Sequence, residues 1–167
     1  MPYAAIRAVM LGSGLSDAAC ETLAGVSIAA SRRENAETLL RTHRDLWLAT
    51  SSDSGPHLVP LSFVWPSERL LFATSATSRT GRNVLESGLA RAAIGATRDL
   101  VIVVGSVSPV DADDKGLLLA FAERLGFGPS DVGDGGTLFS LAPREIQTWI
   151  ERADPDRWLM RHGHWVT

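Results

Sequence analysis

Thr74, Ser75, Ser78, Arg79 and Arg82 are the residues whose types and spacing most directly suggest chemistry. They belong to a run, residues 70–84, that begins as Leu70-Leu71-Phe72-Ala73 and ends in hydroxyls and two arginines before a predicted helix. A strand that delivers Ser, Thr and Arg to a helix N-terminus can hold a phosphate. Free backbone N–H groups and the helix dipole both favour an anion there. The same residues fit an ordinary strand-to-helix connection, with Ser78 as N-cap and the arginines solvated. Both readings stand at this point.

Other chemistry-bearing residues are fewer. His57 lies in a predicted strand, where imidazole is suited to acid–base work or to a plain structural hydrogen bond. His162-Gly163-His164 offers two imidazoles without a third ligand nearby, so no metal site is expected. Asp111, Asp113 and Asp114 sit where acids favour the start of a helix. Cys20, the single cysteine, has no basic neighbour in sequence that would activate it as a nucleophile.

The elements that must position these residues follow from pattern. Residues 1 to about 30, rich in Ala, Gly and Ser, read as an N-terminal arm ordered only in part, with a short helix from Ser16-Asp17 ending at Gly25. Residues 31–167 form the domain proper. A short helix over 33–43 precedes a strand at 46–50, a turn at Ser52-Asp53-Ser54-Gly55 and a returning strand at 56–65. Pro60 lies within that strand and requires a bulge or an unpaired edge. A third strand covers 70–74, then a helix at 79–88 and strands at 90–96 and 100–107. A helix is expected over 111–125, stopped by Gly126, then a last strand at 137–141 and a polar, Trp-bearing tail. Short strands in hairpin succession with single helices between them predict an α+β chain, mainly β, built on a small antiparallel barrel.

Composition narrows the function. Of the 167 residues 45% are hydrophobic and 21% charged, a globular balance sufficient for one core. The net charge of −3 and the absence of a basic run argue against nucleic acid as a partner. No apolar stretch reaches the length of a membrane span. A single cysteine and no apparent signal segment point to the cytoplasm.

A resemblance then becomes specific. Leu46-Trp47-Leu48-Ala49-Thr50, Gly55-Pro56-His57-Leu58-Val59-Pro60, Phe72-Ala73-Thr74, and Ser78-Arg79 to Arg82-Asn83 resemble, in order, the motifs of the pyridoxamine 5′-phosphate oxidase superfamily. Pro143 to Trp149 and Arg157-Trp158-Leu159-Met160-Arg161 resemble its C-terminal segment. The resemblance implies a six-stranded antiparallel split β-barrel with flanking helices, working as a homodimer with FMN in clefts between the subunits. It places Thr74, Ser75, Ser78, Arg79, Arg82 and Asn83 at the FMN phosphate. His57, Val59, Pro60 and Leu61 would run along the isoalloxazine. Trp149 and Arg161 match tail residues that reach flavin, and Arg157 matches one that meets substrate.

Departures matter equally. Thr80 stands where the family's clamp carries lysine, Val59 and Val64 replace flavin-binding charges, and Leu159 replaces the tail histidine. The chain therefore looks like the broad actinobacterial branch of the superfamily, some of whose members bind a deazaflavin, and not like a true pyridoxamine phosphate oxidase. The expectation is a flavin-dependent oxidoreductase acting on a small molecule. The alternative is a non-catalytic binding or sensor protein for flavin, deazaflavin or haem.

Overall fold

The computed structural model describes residues 17–133, 135–150 and 157–166. Helix α1 (Asp17–Thr42) leads into strand β1 (Asp45–Ser52). The two short helices expected before β1 are thus one, and Gly25 does not end it. Alanine- and leucine-rich flanks support a helix well enough to absorb one glycine, at about 1 kcal/mol. Residues 1–16 of the expected arm lie outside the described residues.

Leu46, Leu48 and Thr50 point inward from β1 while Asp45 and Trp47 point out, the period of two expected of a half-buried strand. β1 turns through Asp53 and Ser54 into β2 (Gly55–Val64), with Gly55 at a φ of 97° that the tight turn requires. β3 (Leu70–Ser75), helix α2 (Arg79–Ser87), β4 (Leu89–Ala96) and β5 (Asp99–Pro109) follow. Then come helix α3 (Lys115–Leu125), β6 (Gly136–Ile150), β7 (Trp158–Arg161) and β8 (His164–Trp165).

The strands pair in the order β3-β2-β1-β4-β5-β6, and β6 returns to β3, closing a six-stranded antiparallel barrel. The first half of β6 completes the barrel against β3, and its second half carries β7 and β8 outward. β5 runs beside both halves, with a register shift that leaves Arg144 as an extra residue next to Pro143. The last strand is therefore far longer than the expected 137–141. Pro143, expected in the tail, is accommodated beside the bulge, opposite Gly105.

β2 meets β3 only at Phe63 and Val64, leaving residues 55–62 with one edge that no strand covers. The Phe63 N–H donates to the Arg44 carbonyl on the β1 side, so Leu58, Pro60 and Ser62 present their backbone to the open edge. Of the two solutions open to Pro60, the structure uses the unpaired edge. Its register with Trp47 is uninterrupted.

The main core fills the barrel with Leu48, Phe63, Phe72, Ile94, Phe139 and Ile146, to which α2 adds Val84 and α1 adds Ala36 and Leu40. A second cluster lies outside, where Phe121 of α3 covers Val64, Leu71, Ala73 and Leu138. Both faces of β3 are buried, which is why it reads as an unbroken apolar run. α3 begins later than the expected 111. Asp111 accepts the Asp113 N–H in a turn of its own (2.9 Å), and Asp114 is the N-cap, accepting the Leu117 N–H (3.1 Å).

Ser140 is buried beside Leu71, yet its hydroxyl has no hydrogen-bond partner. A desolvated, unbonded hydroxyl is unfavourable, so Ser140→Ala is expected to stabilise the fold by about 1 kcal/mol. Urea denaturation checks this. A destabilised variant would show that the hydroxyl is satisfied after all.

Candidate functional site

Thr74 ends the buried part of β3, and its Oγ1 lies 3.1 Å from Ser78 Oγ. Ser78 is the N-cap of α2: its Oγ accepts the Gly81 N–H at 3.0 Å and its own N–H donates to the Ser75 carbonyl at 3.0 Å. Ser75 Oγ lies 3.0 Å from Thr77 Oγ1. The connection thus packs four hydroxyls into one turn at the positive end of a helix whose first turn holds no acid. The capping reading is correct: Ser78 is the N-cap and both arginines are exposed.

Arg79 and Arg82 are exposed at the start of α2. Arg79 Nη2 donates to Ser54 Oγ at 3.3 Å, and Arg82 Nη1 donates to the Thr77 carbonyl. Among the described residues neither forms an ion pair with a carboxylate. Two guanidinium groups beside an acid-free helix N-terminus concentrate positive charge at one place.

Two of the candidate positions turn inward. Thr80, where the family carries lysine, is buried, and Asn83 is buried with its Nδ2 donating to Thr50 Oγ1 at 3.0 Å. This bond ties α2 to β1. On β2, His57 pairs with Thr50 and is half-buried, as are Val59 and Leu61, whereas Pro60 faces out. The contacts Asn83–Thr50 and Arg79–Ser54 therefore bring the β1–β2 hairpin to the N-terminal turn of α2. The open edge of β2, the 74–78 turn and the two arginines border the same region.

The tail residues lie elsewhere. Thr137 pairs with Thr74 at the clamp, and Trp149 sits at the other end of β6, with about 40 Å of strand between them. Arg157 stacks over the Trp149 ring at 3.9 Å, and Arg161 over Trp158 at 4.7 Å. Within one chain the structure assembles the candidate residues from 54 to 83 and leaves Trp149, Arg157 and Arg161 apart.

Gly81 was not among the sequence candidates, yet the close packing of the 74–78 turn on α2 depends on it. A Cβ there would stand 2.2 Å from the Ser75 carbonyl oxygen. Its signal was available, since a glycine within a helix is disfavoured unless something packs against it. Thr50 and Ser54 carried no such signal, being brought to the site by distant partners.

The chain matches the family described as pyridoxamine 5′-phosphate oxidase over residues 33–150. Comparison with curated proteins yields no match. Among solved structures it is similar to a heme binding protein from Mycobacterium smegmatis, with 15% identity and a TM-score of 0.64. That match covers 72% of this chain and 55% of the other. It is also similar to a FAD-binding protein from Mesorhizobium loti (15% identity, 67% and 87% covered, TM-score 0.59). A third is an F420 reductase (19% identity, 66% and 94% covered, TM-score 0.55). At these identities the structures show a common fold alone. Together with the match across residues 33–150, the closed six-stranded barrel identifies this chain as a member of the pyridoxamine 5′-phosphate oxidase-like split-barrel superfamily.

Proposed function

We propose that this chain binds FMN and serves as a flavin-dependent oxidoreductase acting on a small molecule. The observation that carries the reading is the pair Arg79 and Arg82, without carboxylate partners among the described residues, at an acid-free helix N-terminus lined with hydroxyls. That donor set suits a phosphate dianion, which takes charge-assisted hydrogen bonds from guanidinium, hydroxyl and backbone N–H groups. Gly81 lets the turn and the helix approach closely enough to form one cradle.

The open edge of β2 suits the rest of the cofactor. Leu58 and Ser62 offer backbone N–H groups there, and with Pro60 they offer carbonyls, for the polar edge of an isoalloxazine. When bound, flavin supplies the hydride or electron transfer; the residues of this chain orient it and exclude water. No catalytic base is assigned, and His57 is the one imidazole beside the cleft. A second copy of the chain fits this reading. Leu85 and Leu89, on and just after the clamp helix, are about half exposed, and another subunit is the route by which Trp149, Arg157 and Arg161 could reach a flavin. Among the described residues no helix is long and apolar enough to cross a membrane. A cytoplasmic setting is part of the proposal and rests on the lone cysteine.

A second reading is a non-catalytic flavin, deazaflavin or haem binding protein. It draws on the apolar Val59 and Val64, and on Thr80 where the resemblance expects lysine. The absorption spectrum of the purified full chain, before and after adding FMN, tests the first reading. Flavin bands retained at micromolar concentration, and turned over by a reductant and an acceptor, are the expected result. Retention of a deazaflavin or haem alone, or a bound flavin that never turns over, would favour the second. Failure to retain any of the three would remove both.

A further inference from the structure

The clamp occupies one end of β1, and a different set of side chains lines the other. Asp45 and Trp47 share the outer face of β1, and His43, just before the strand, lies beside them. They border a groove of about 310 Å³. Trp47 stands between Pro60 on β2 and Ala93 on β4, with Gly95 beyond, and these neighbours are too small to cover the indole. The ring stays 52% exposed. A large aromatic held open between small residues is a surface for stacking.

The polar groups of the groove select the charge of a ligand. His43 Nδ1 lies 3.1 Å from the Leu39 carbonyl oxygen, which can only accept, so Nδ1 carries the proton. With a proton on Nδ1, the lone pair of the neutral tautomer lies on Nε2. Asp45 Oδ1 accepts the Ser62 hydroxyl at 2.9 Å, which leaves Oδ2 free. Among the described residues Asp45 has no ion-pair partner, and no arginine or lysine lines the groove. A carboxylate, an imidazole lone pair and an aromatic face all attract a cation. Asp45 and Trp47 are two residues apart on one face, about 7 Å, which matches an ammonium group joined to a ring by a short chain.

We propose that this groove binds small organic cations with a planar apolar body, arylalkylamines being the chemical class. The ammonium group lies at Asp45, with His43 Nε2 as a second acceptor, and the ring stacks on Trp47. Pro60 borders both this groove and the proposed isoalloxazine edge, but the groove uses no residue of the 74–82 phosphate clamp, so loss of either assignment leaves the other standing.

The test titrates the full chain with 2-phenylethylammonium and with 3-phenylpropionate, two probes with the same ring and opposite charge. Amide NMR shifts report which residues respond. The cation should saturate and perturb residues 43–47, 60 and 93–95, binding at least about tenfold tighter than the anion. Asp45→Asn keeps the shape and the acceptor for Ser62, and should weaken the cation by about tenfold without changing the melting temperature. Trp47→Leu should weaken both probes. Equal binding of the two probes, or an Asp45→Asn variant that binds the cation as before, would overturn the proposal. So would an oligomer that Trp47→Leu dissociates and that never binds the cation, because the groove would then be covered by a second copy.

Discussion

Gly81→Ala is expected to cost about 3 kcal/mol of stability and to abolish cofactor binding at the clamp, the largest single-residue effect at this site. The added Cβ would stand 2.2 Å from the Ser75 carbonyl oxygen and 2.8 Å from both Cα and the carbonyl oxygen of Ala76. All three are backbone atoms, so no rotamer change relieves the overlap. The turn is itself fixed, since the Ser78 N–H donates to the Ser75 carbonyl and the Ala76 N–H to Gly135. Helix α2 must therefore shift, which breaks the Ser78 cap and strains the buried Asn83–Thr50 bond together. Gly88→Ala is the control. Gly88 has a φ of 63° with nothing near its Cβ position, so it should cost only about 1 kcal/mol. Chemical denaturation of both variants, with FMN titration of each, gives the comparison. Equal stability of the two would show that α2 does not sit as closely on the turn as described.

The second large effect is expected at the arginines. Arg79→Ala and Arg82→Ala should each weaken FMN binding by about 1–3 kcal/mol, roughly fivefold to 150-fold, the usual worth of a charge-assisted hydrogen bond. Riboflavin, which lacks the phosphate, should bind the native protein and both variants alike. The difference between FMN and riboflavin should also shrink as salt is raised, because both guanidinium groups are exposed to solvent. Isothermal titration with the two ligands separates the outcomes. If riboflavin loses as much affinity as FMN, the arginines hold some other part of the flavin and the phosphate assignment fails.

Much of this molecule could be read before its structure was known. The run Leu46 to Thr50 reads as a strand and forms one, and Ser78 announced the start of α2. The ordered motifs from residue 46 to 83 carried the superfamily and the barrel. The readings that missed concern where elements begin and end. Gly25 did not end α1, β6 ran on past Leu141 through Pro143, and Asp111 closed a turn before the helix. In the case of Pro143 the reason lies on another strand: the bulge opposite Gly105 absorbs the residue that cannot donate.

The sequence by itself determined which residue types meet at the start of α2 and which runs form the first strands. Both depend on neighbours two to four positions away, where backbone geometry alone places side chains. Only the tertiary structure decided that Asn83 faces Thr50, 33 residues away, that Arg79 reaches Ser54, 25 residues away, and that Thr80 is buried. It alone placed the tail tryptophan at the far end of β6 and left the β2 edge open beside the clamp. Such contacts arise from barrel closure, which pairs β3 with β6 across more than sixty residues, and no local pattern encodes that pairing.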